Sequence, residues 1–345
     1  MFNYLEYDKI KTFFKKNGYV VITDVITPDE ITNSINEICQ HPALLGDYNV
    51  DINNLDNWDN AYIGERGFVD INQGVSQNHS QVELEWFWKN RQNPNVVKSF
   101  ENILDSSELL LSIDRASVIR PSKINPKWKT LQSWLHWDKN PWMYPEFTKI
   151  QGLLTLTDHT EDSGGFCCVP GFHKKLSEWS THNLDHYDKN KYNPLVMVPE
   201  NDEIQTQITK ILAPAGSLII WDSGLPHCNY PNNGYDFRIA QYITFELKND
   251  CSDHTYDKLK INYFEASIFK SMNSNKLNDI LTPLGRNIIN FDYFENQYST
   301  SDKDVEAWKE FTMAMDCEKS GDHNQSIKHY SKASKLSKLL NEIYL

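Results

Sequence analysis

Residues 216–247, GSLIIWDSGLPHCNYPNNGYDFRIAQYITFEL, set the architecture that the rest of the chain must accommodate. The apolar run at 217–222 reads as a buried strand. Ser223-Gly224-Leu225-Pro226 marks a turn, His227 follows it, and a Pro/Asn/Gly loop leads into a second strand. That strand alternates: Phe237, Ile239, Ile243 and Phe245 share one face, and Arg238, Ala240, Tyr242 and Thr244 share the other. A histidine at the start of one strand and an arginine on the small/polar face of the next, eleven positions later, can open on the same cavity.

Upstream, from Leu109 onward, the chain has the same texture. ASVIR, QSWLHW, KIQGLLTLTD and GFCCVP are short apolar segments separated by turn residues, which with 216–222 and 237–247 make six candidate strands. Strands of this length and punctuation predict an antiparallel sandwich or barrel. Helices flank it. Leu5, Ile10, Phe13 and Phe14 recur at helical spacing, Gly18 breaks the pattern, and GYVVITDVI reads as a strand. TPDEITNSINEICQ carries a helix start, with Thr27 as N-cap, Pro28 at the first position and Glu30 three residues after the cap. Residues 83–104 read as helical again, whereas 45–80 and 174–200 are polar and read as loop and surface insertion. Near the C-terminus, two amphipathic helices meet at Gly321, with Ser326, Tyr330 and Ala333 spaced as in the second helix of a tetratricopeptide repeat. A single repeat is too short for a solenoid, so a helical hairpin packed on the main domain is expected over 296–345, after a main domain over 1–295.

The bulk composition narrows the function. The net charge of −13, with no basic block, opposes non-specific binding to nucleic acid or to an anionic membrane surface. No signal-peptide h-region, membrane-length apolar run or peroxisomal C-terminal signal is present, so a soluble cytoplasmic protein is expected. The six cysteines are scattered without metal-finger spacing and read as reduced thiols.

Chemistry-bearing residues recur in three similar pairs: His136-Trp137-Asp138, His159-Thr160-Glu161 and His186-Tyr187-Asp188. Iron(II) oxygenases commonly bind their metal with two histidines and one carboxylate on one face, leaving positions open for a chelating 2-oxo acid and for oxygen. Residues i and i+2 of a strand point to the same side, so His136 and Asp138 can share a cavity while Trp137 faces away. Taken alone, they can equally be a hydrogen-bonded pair at a sheet edge. His186 and Asp188 fall in the polar insertion with no strand to hold them. The cluster Asp158-His159-Thr160-Glu161-Asp162 reads as a charged turn, and His173 as a structural residue of the Pro-Gly turn. Trp134, Trp137, Trp142, Tyr144 and Trp221 can be core or can line a pocket. The planar fork of Arg238 suits bidentate pairing with the distal carboxylate of 2-oxoglutarate.

Four elements, in order, resemble the phytanoyl-CoA dioxygenase-like branch of the Fe(II)/2-oxoglutarate-dependent oxygenases. GYVVITDVITPDEI resembles the N-terminal strand and helix of that family, and LHWD its His-x-Asp. SGGFCCVPGFH resembles its Gly-rich strand ending in Pro-Gly-Ser-His. PHCNYPNNGYDFR is similar to its distal His, with Asn232 at +5 and Arg238 at +11. The resemblance spans about Gly18 to Leu247. It implies a mainly β fold with flanking helices, built on a double-stranded β-helix (a cupin-like jelly roll). It further implies His136, Asp138 and His227 as iron ligands and Arg238 as the 2-oxoglutarate anchor. Asn229 stands where the family often has Ser, and Arg120 where it often has a polar group, so both are expected to contact the co-substrate. The expected reaction uses Fe(II), 2-oxoglutarate and O2 to hydroxylate a C–H bond of a small molecule, releasing succinate and CO2. Halogenating relatives lack the carboxylate that Asp138 provides, so hydroxylation is favoured. The competing expectation is a non-catalytic jelly roll that binds a protein partner through its acidic surface and C-terminal hairpin.

Overall fold

The computed structural model describes the chain except for residues 42–43, 62–68, 70–74, 77–78, 81–83, 132–133, 146–148, 187–194, 272–276, 299–300 and 345. Its strands in chain order begin with β1 (Phe2–Asn3), β2 (Tyr19–Thr23), β3 (Val75–Ser76), β4 (His79–Ser80), β5 (Leu109–Ser112), β6 (Ala116–Ile119), β7 (His136–Trp137) and β8 (Ile150–Thr155). They continue with β9 (Gly165–Cys168), β10 (Val196–Met197), β11 (Thr209–Lys210), β12 (Leu218–Asp222), β13 (His227–Tyr230), β14 (Arg238–Tyr242) and β15 (Thr244–Leu247). Two sheets dominate: a six-stranded one ordered β1-β2-β12-β8-β14-β6 and a five-stranded one ordered β10-β7-β13-β9-β11. The chain passes back and forth between them: β6, β8, β12 and β14 lie in the larger sheet, and β7, the run β9 to β11, and β13 in the smaller.

Side-chain alternation builds the core on both faces of the larger sheet. Val21, Leu153, Ile219, Trp221 and Ala240 join one cluster with Trp137, Phe166 and Cys168 of the smaller sheet. Their neighbours Val20, Ile22, Leu154, Leu218, Ile220 and Ile239 point the other way, against the flanking helices. A one-residue register slip would exchange the two sets, so burial on both faces pins the register.

On the outer face lie α1 (Tyr7–Asn17), α2 (Pro28–Gln40), α3 (Glu85–Arg91) and α4 (Pro94–Leu104). The capping box at α2 is formed: the Glu30 amide donates to Thr27 Oγ1 at 3.3 Å, and the Thr27 amide to Glu30 Oε2 at 2.7 Å. The helical stretch expected over 83–104 is two helices, because Pro94 cannot extend the first and instead opens the second. Gly152 marks where α4 presses on the sheet: a Cβ there would stand 2.5 Å from the Ile243 carbonyl oxygen and 2.6 Å from the Phe100 ring. Gly152→Ala therefore overpacks a contact between backbone and a buried ring. A loss of about 2–3 kcal/mol in unfolding free energy is expected by denaturant unfolding, and a loss below about 0.5 kcal/mol, the scale of a surface substitution, would contradict this packing.

Two expectations need correction. The segment 174–200 is not a mere surface insertion. It holds α5 (Leu176–His182), whose Trp179 packs tilted against Trp137 with ring centroids 4.8 Å apart, and β10, which pairs Met197 with His136 and Val196 with Trp137. Among its described residues, Leu176, Ser180, Val196 and Val198 are buried. The chain is also less β-rich than expected, since helical residues outnumber strand residues. From residue 253 onward the named elements are all helices: α6 (Asp253–Ser271), α7 (Leu277–Ile280), α8 (Pro283–Ile288), α9 (Phe291–Gln297), α10 (Asp302–Lys319), α11 (His323–Leu336) and α12 (Lys338–Tyr344). Gly321, at φ 81°, sits between α10 and α11, a left-handed position suited to glycine. Ala307, Phe311, Ala333 and Leu340 of the last three helices cluster with Phe264 of α6. Among the described residues, no helix is long and apolar enough to cross a membrane.

Candidate metal and co-substrate site

Sheet register brings the two histidines together. His136 on β7 is the direct cross-strand partner of His227 on β13, and their ring centroids are 4.6 Å apart. β7 ends at Trp137, so Asp138 lies in the bend just beyond the strand. Its carboxylate faces both rings, with Oδ1 3.4 Å from His136 Nε2 and Oδ2 3.4 Å from His227 Nε2. The turn that delivers His227 is tied by Asp222, whose Oδ1 accepts from the Gly224 amide at 2.7 Å.

The protonation pattern of this trio suits a cation. His136 Nδ1 is 3.0 Å from the Trp134 carbonyl oxygen, and His227 Nδ1 is 3.0 Å from that of Leu225. A carbonyl oxygen only accepts, so each Nδ1 carries the proton and each Nε2 presents a lone pair. Burial pushes the His136 pKa down against the opposing pull of Asp138, which favours the neutral ring. Two lone pairs and a carboxylate facing one another repel unless a positive charge lies among them. Donors at about 2.1 Å from a metal, on adjacent octahedral corners, stand about 3 Å apart, and the Nε2–carboxylate separations lie close to that. Backbone acceptors on the far ring nitrogens are the usual support of metal-binding imidazoles. The donor set fits Fe(II).

The remaining wall is mixed. Trp134 stacks on His136 at 4.6 Å with ring planes 9° apart, and Phe166, Trp221, Leu195, Asp114 and Arg115 complete the lining with Gln151, Asn229 and Tyr242. Of the five aromatics singled out in the sequence, Trp134 and Trp221 line this cavity, Trp137 is fully buried beside Trp179 and Phe172, Trp142 packs on Trp179, and Tyr144 is exposed. Gln151 was not anticipated. It donates from Nε2 to Asp138 Oδ2 at 2.8 Å and so orients the carboxylate. A polar residue inside the apolar strand KIQGLLTLTD was the available signal.

Arg238 lies fully buried behind this wall. It donates from Nε to His159 Nε2 at 3.0 Å, from Nη1 to Ser117 Oγ at 3.0 Å and from Nη2 to Asn229 Oδ1 at 3.2 Å. Among the described residues no carboxylate pairs with it. A buried guanidinium held by neutral acceptors retains its full charge for an incoming anion, since an isolated buried charge is costly until paired. Asn229 both lines the cavity and touches Arg238. Asn232 orders the loop instead, donating to the Asp236 carbonyl at 2.6 Å and accepting from the Gly234 amide at 2.9 Å.

Other expectations meet different surroundings. Ser117 of β6 faces Arg238, so Arg120, an odd number of residues away, points to the opposite face of the sheet. There it donates from Nη1 to the Trp58 carbonyl oxygen at 2.8 Å and stands over Trp128, away from the cavity lining. The charged-turn reading of His159 needs correction: the residue is 2% exposed, bridged to Ala213, and bonded to Arg238. His173 packs between the Asp222 turn and the backbone at Lys15. Asp188 and the side chain of His186 lie outside the described residues.

Residues 14–240 match the family described as phytanoyl-CoA dioxygenase (PhyH). The chain is 29% identical over 263 residues to a putative phytanoyl-CoA dioxygenase of Dictyostelium discoideum, covering 67% of this chain and 73% of that protein. It is 25% identical over 186 residues to Ava biosynthesis cluster protein O of Aspergillus versicolor, covering 50% of this chain and 58% of that protein. Among solved structures, GlcNAc Inducible Gene 2 (GIG2, DUF1479) of Candida albicans shares the fold at TM-score 0.54 and 14% identity, covering 88% of this chain and 87% of the other.

Proposed function

Because this chain belongs to the phytanoyl-CoA dioxygenase family, we propose that it hydroxylates a C–H bond of a small-molecule substrate, converting 2-oxoglutarate to succinate and CO2. Fe(II), 2-oxoglutarate and O2 are the cofactor and co-substrates of this chemistry. The observation that carries the reading is the convergence of His136, Asp138 and His227, whose donor atoms lie within 4.8 Å of one another, beside a buried Arg238 that has no carboxylate partner among the described residues. The repeated crossing of the chain between two sheets, β6-β7-β8-β9 and again β11-β12-β13-β14, supports a double-stranded β-helix as the scaffold. Residues 1–295 form the oxygenase domain in this reading, and 296–345 a helical appendage to it.

Iron, when bound, supplies the redox chemistry that couples decarboxylation of the co-substrate to oxidation of the substrate. The chain's own residues do the rest. The imidazoles of His136 and His227 and the carboxylate of Asp138 would hold the metal. Arg238 takes the distal carboxylate of 2-oxoglutarate through its fork, with Asn229 and Tyr242 beside it at the cavity wall. Trp134 restrains the His136 ring by stacking, and Phe166 and Trp221 exclude water from the reacting centre. Asp114, Arg115 and Leu195 lie where a substrate would enter.

The test is succinate formation from 2-oxoglutarate in the presence of Fe(II), compared between the native chain and His136→Ala. Native turnover is expected to exceed the variant by at least about 100-fold, since even residues outside the ligand set typically change metal affinity or activity 10–100-fold. Equal succinate release from both proteins would refute the assignment.

A further inference from the structure

The contact between His159 and Arg238 is unusual in its polarity. An arginine Nε–H that donates to an imidazole Nε2 requires a lone pair there, so the His159 proton sits on Nδ1 and the ring is neutral. Burial first, and the neighbouring Arg238 charge second, push its pKa well below the usual histidine value. The ring is also fixed in place. Its backbone exchanges hydrogen bonds with Ala213 at 2.8 and 3.1 Å. Gly165, at φ 153°, lies against it so closely that a Cβ would stand 3.1 Å from His159 Cγ and Nδ1.

The division of labour around the guanidinium is specific. Ser117 and Asn229 accept from the terminal nitrogens, which form the end-on fork that a carboxylate engages, and the Tyr242 hydroxyl also bonds to the guanidinium. His159 takes Nε, which that end-on fork does not use. A carboxylate in its place would accept the same hydrogen bond but neutralise the charge and compete with the ligand's own anion. A neutral, immobile acceptor sets the rotation of the guanidinium and leaves its charge available.

We propose that His159 is a positioning residue for the co-substrate: as an uncharged acceptor of the Arg238 Nε–H, it turns the Nη1/Nη2 edge toward the cavity and the distal carboxylate of a 2-oxo dicarboxylate. This rests on Arg238 being the co-substrate anchor. Ser117, 121 residues from Arg238 in the chain, shares the task from the other side.

The test is calorimetric titration of the full-length Mn(II)-loaded protein with 2-oxoglutarate, alongside KM and kcat for the Fe(II) enzyme. His159→Leu is expected to weaken binding at least about tenfold, which corresponds to one lost charge-assisted hydrogen bond, and to raise KM with kcat little changed. His159→Gln, which restores a neutral acceptor, should recover to within about threefold of the native Kd, whereas His159→Glu should bind as weakly as the leucine variant or worse. Melting transitions check folding; if the leucine variant does not fold, the Gln-versus-Glu difference decides. Binding within threefold of native for folded His159→Leu, or equal binding by His159→Gln and His159→Glu, overturns the proposal. Arg238→Gln separates the two ideas: unchanged binding there removes the anchor assignment itself, whereas lost binding there with native-like His159→Leu removes only the role of His159.

Discussion

Asp138→Ala is expected to release the metal and reduce succinate formation to background. Asp138 is the single anionic member of the trio, and its oxygens lie 3.4 Å from each histidine Nε2. Removing it takes away one donor and the charge that balances a divalent ion, leaving two neutral imidazoles, which hold Fe(II) poorly alone. Iron affinity should fall by more than about 100-fold, the upper end of what is seen for outer-shell partners. The metal-free fold should not suffer, because the carboxylate faces two lone pairs and is exposed to the cavity rather than packed in the core. The expected signature is therefore a native-like melting transition without metal and loss of the stabilisation that added Fe(II) or Mn(II) confers on the native chain. Iron content after dialysis, read against succinate formation, checks this. A variant that keeps stoichiometric iron would show that the ligands lie elsewhere.

Arg238→Gln should weaken 2-oxoglutarate binding by at least about 100-fold, because a bidentate contact supplies two charge-assisted hydrogen bonds of roughly 1.5–3 kcal/mol each. The magnitude is large because the guanidinium is fully buried, where competing water is excluded and Coulombic attraction is stronger than at the surface. The expected kinetic pattern is a raised KM for 2-oxoglutarate with kcat largely recovered at saturation, as for an interaction made equally in the ground and transition states. Iron binding should be preserved, since Arg238 is not among the three donors. A shift in 2-oxoglutarate affinity smaller than tenfold would mean that the anion is held by another cation.

The local grammar of the chain was readable one element at a time. Thr27, Pro28 and Glu30 announced a helix start because a capping box closes within a single turn. The alternation in 237–247 identified the face that carries Arg238 because side chains in a strand repeat every two residues. That regularity ended sooner than expected: β14 stops at Tyr242, and β15 leaves the large sheet to pair with β5. His136 and Asp138 were placed as neighbours by their spacing, and His227 by its position at a strand entry. Their pairing across β7 and β13 depends on a register set by burial throughout the two sheets.

What sequence alone determined, then, was which residues could share a face, since that follows from backbone geometry over a few positions. Which residues meet was decided only by the tertiary structure. His159, set among acids in sequence, is buried because Arg238, 79 residues away, lies beneath it. Gln151 reaches Asp138 from another sheet, and Ser117 rather than Arg120 faces the guanidinium because adjacent strand positions point to opposite sides. A polar side chain's role is fixed by the partner that satisfies it in the absence of water, and that partner is supplied by the packing of strands far apart in the chain.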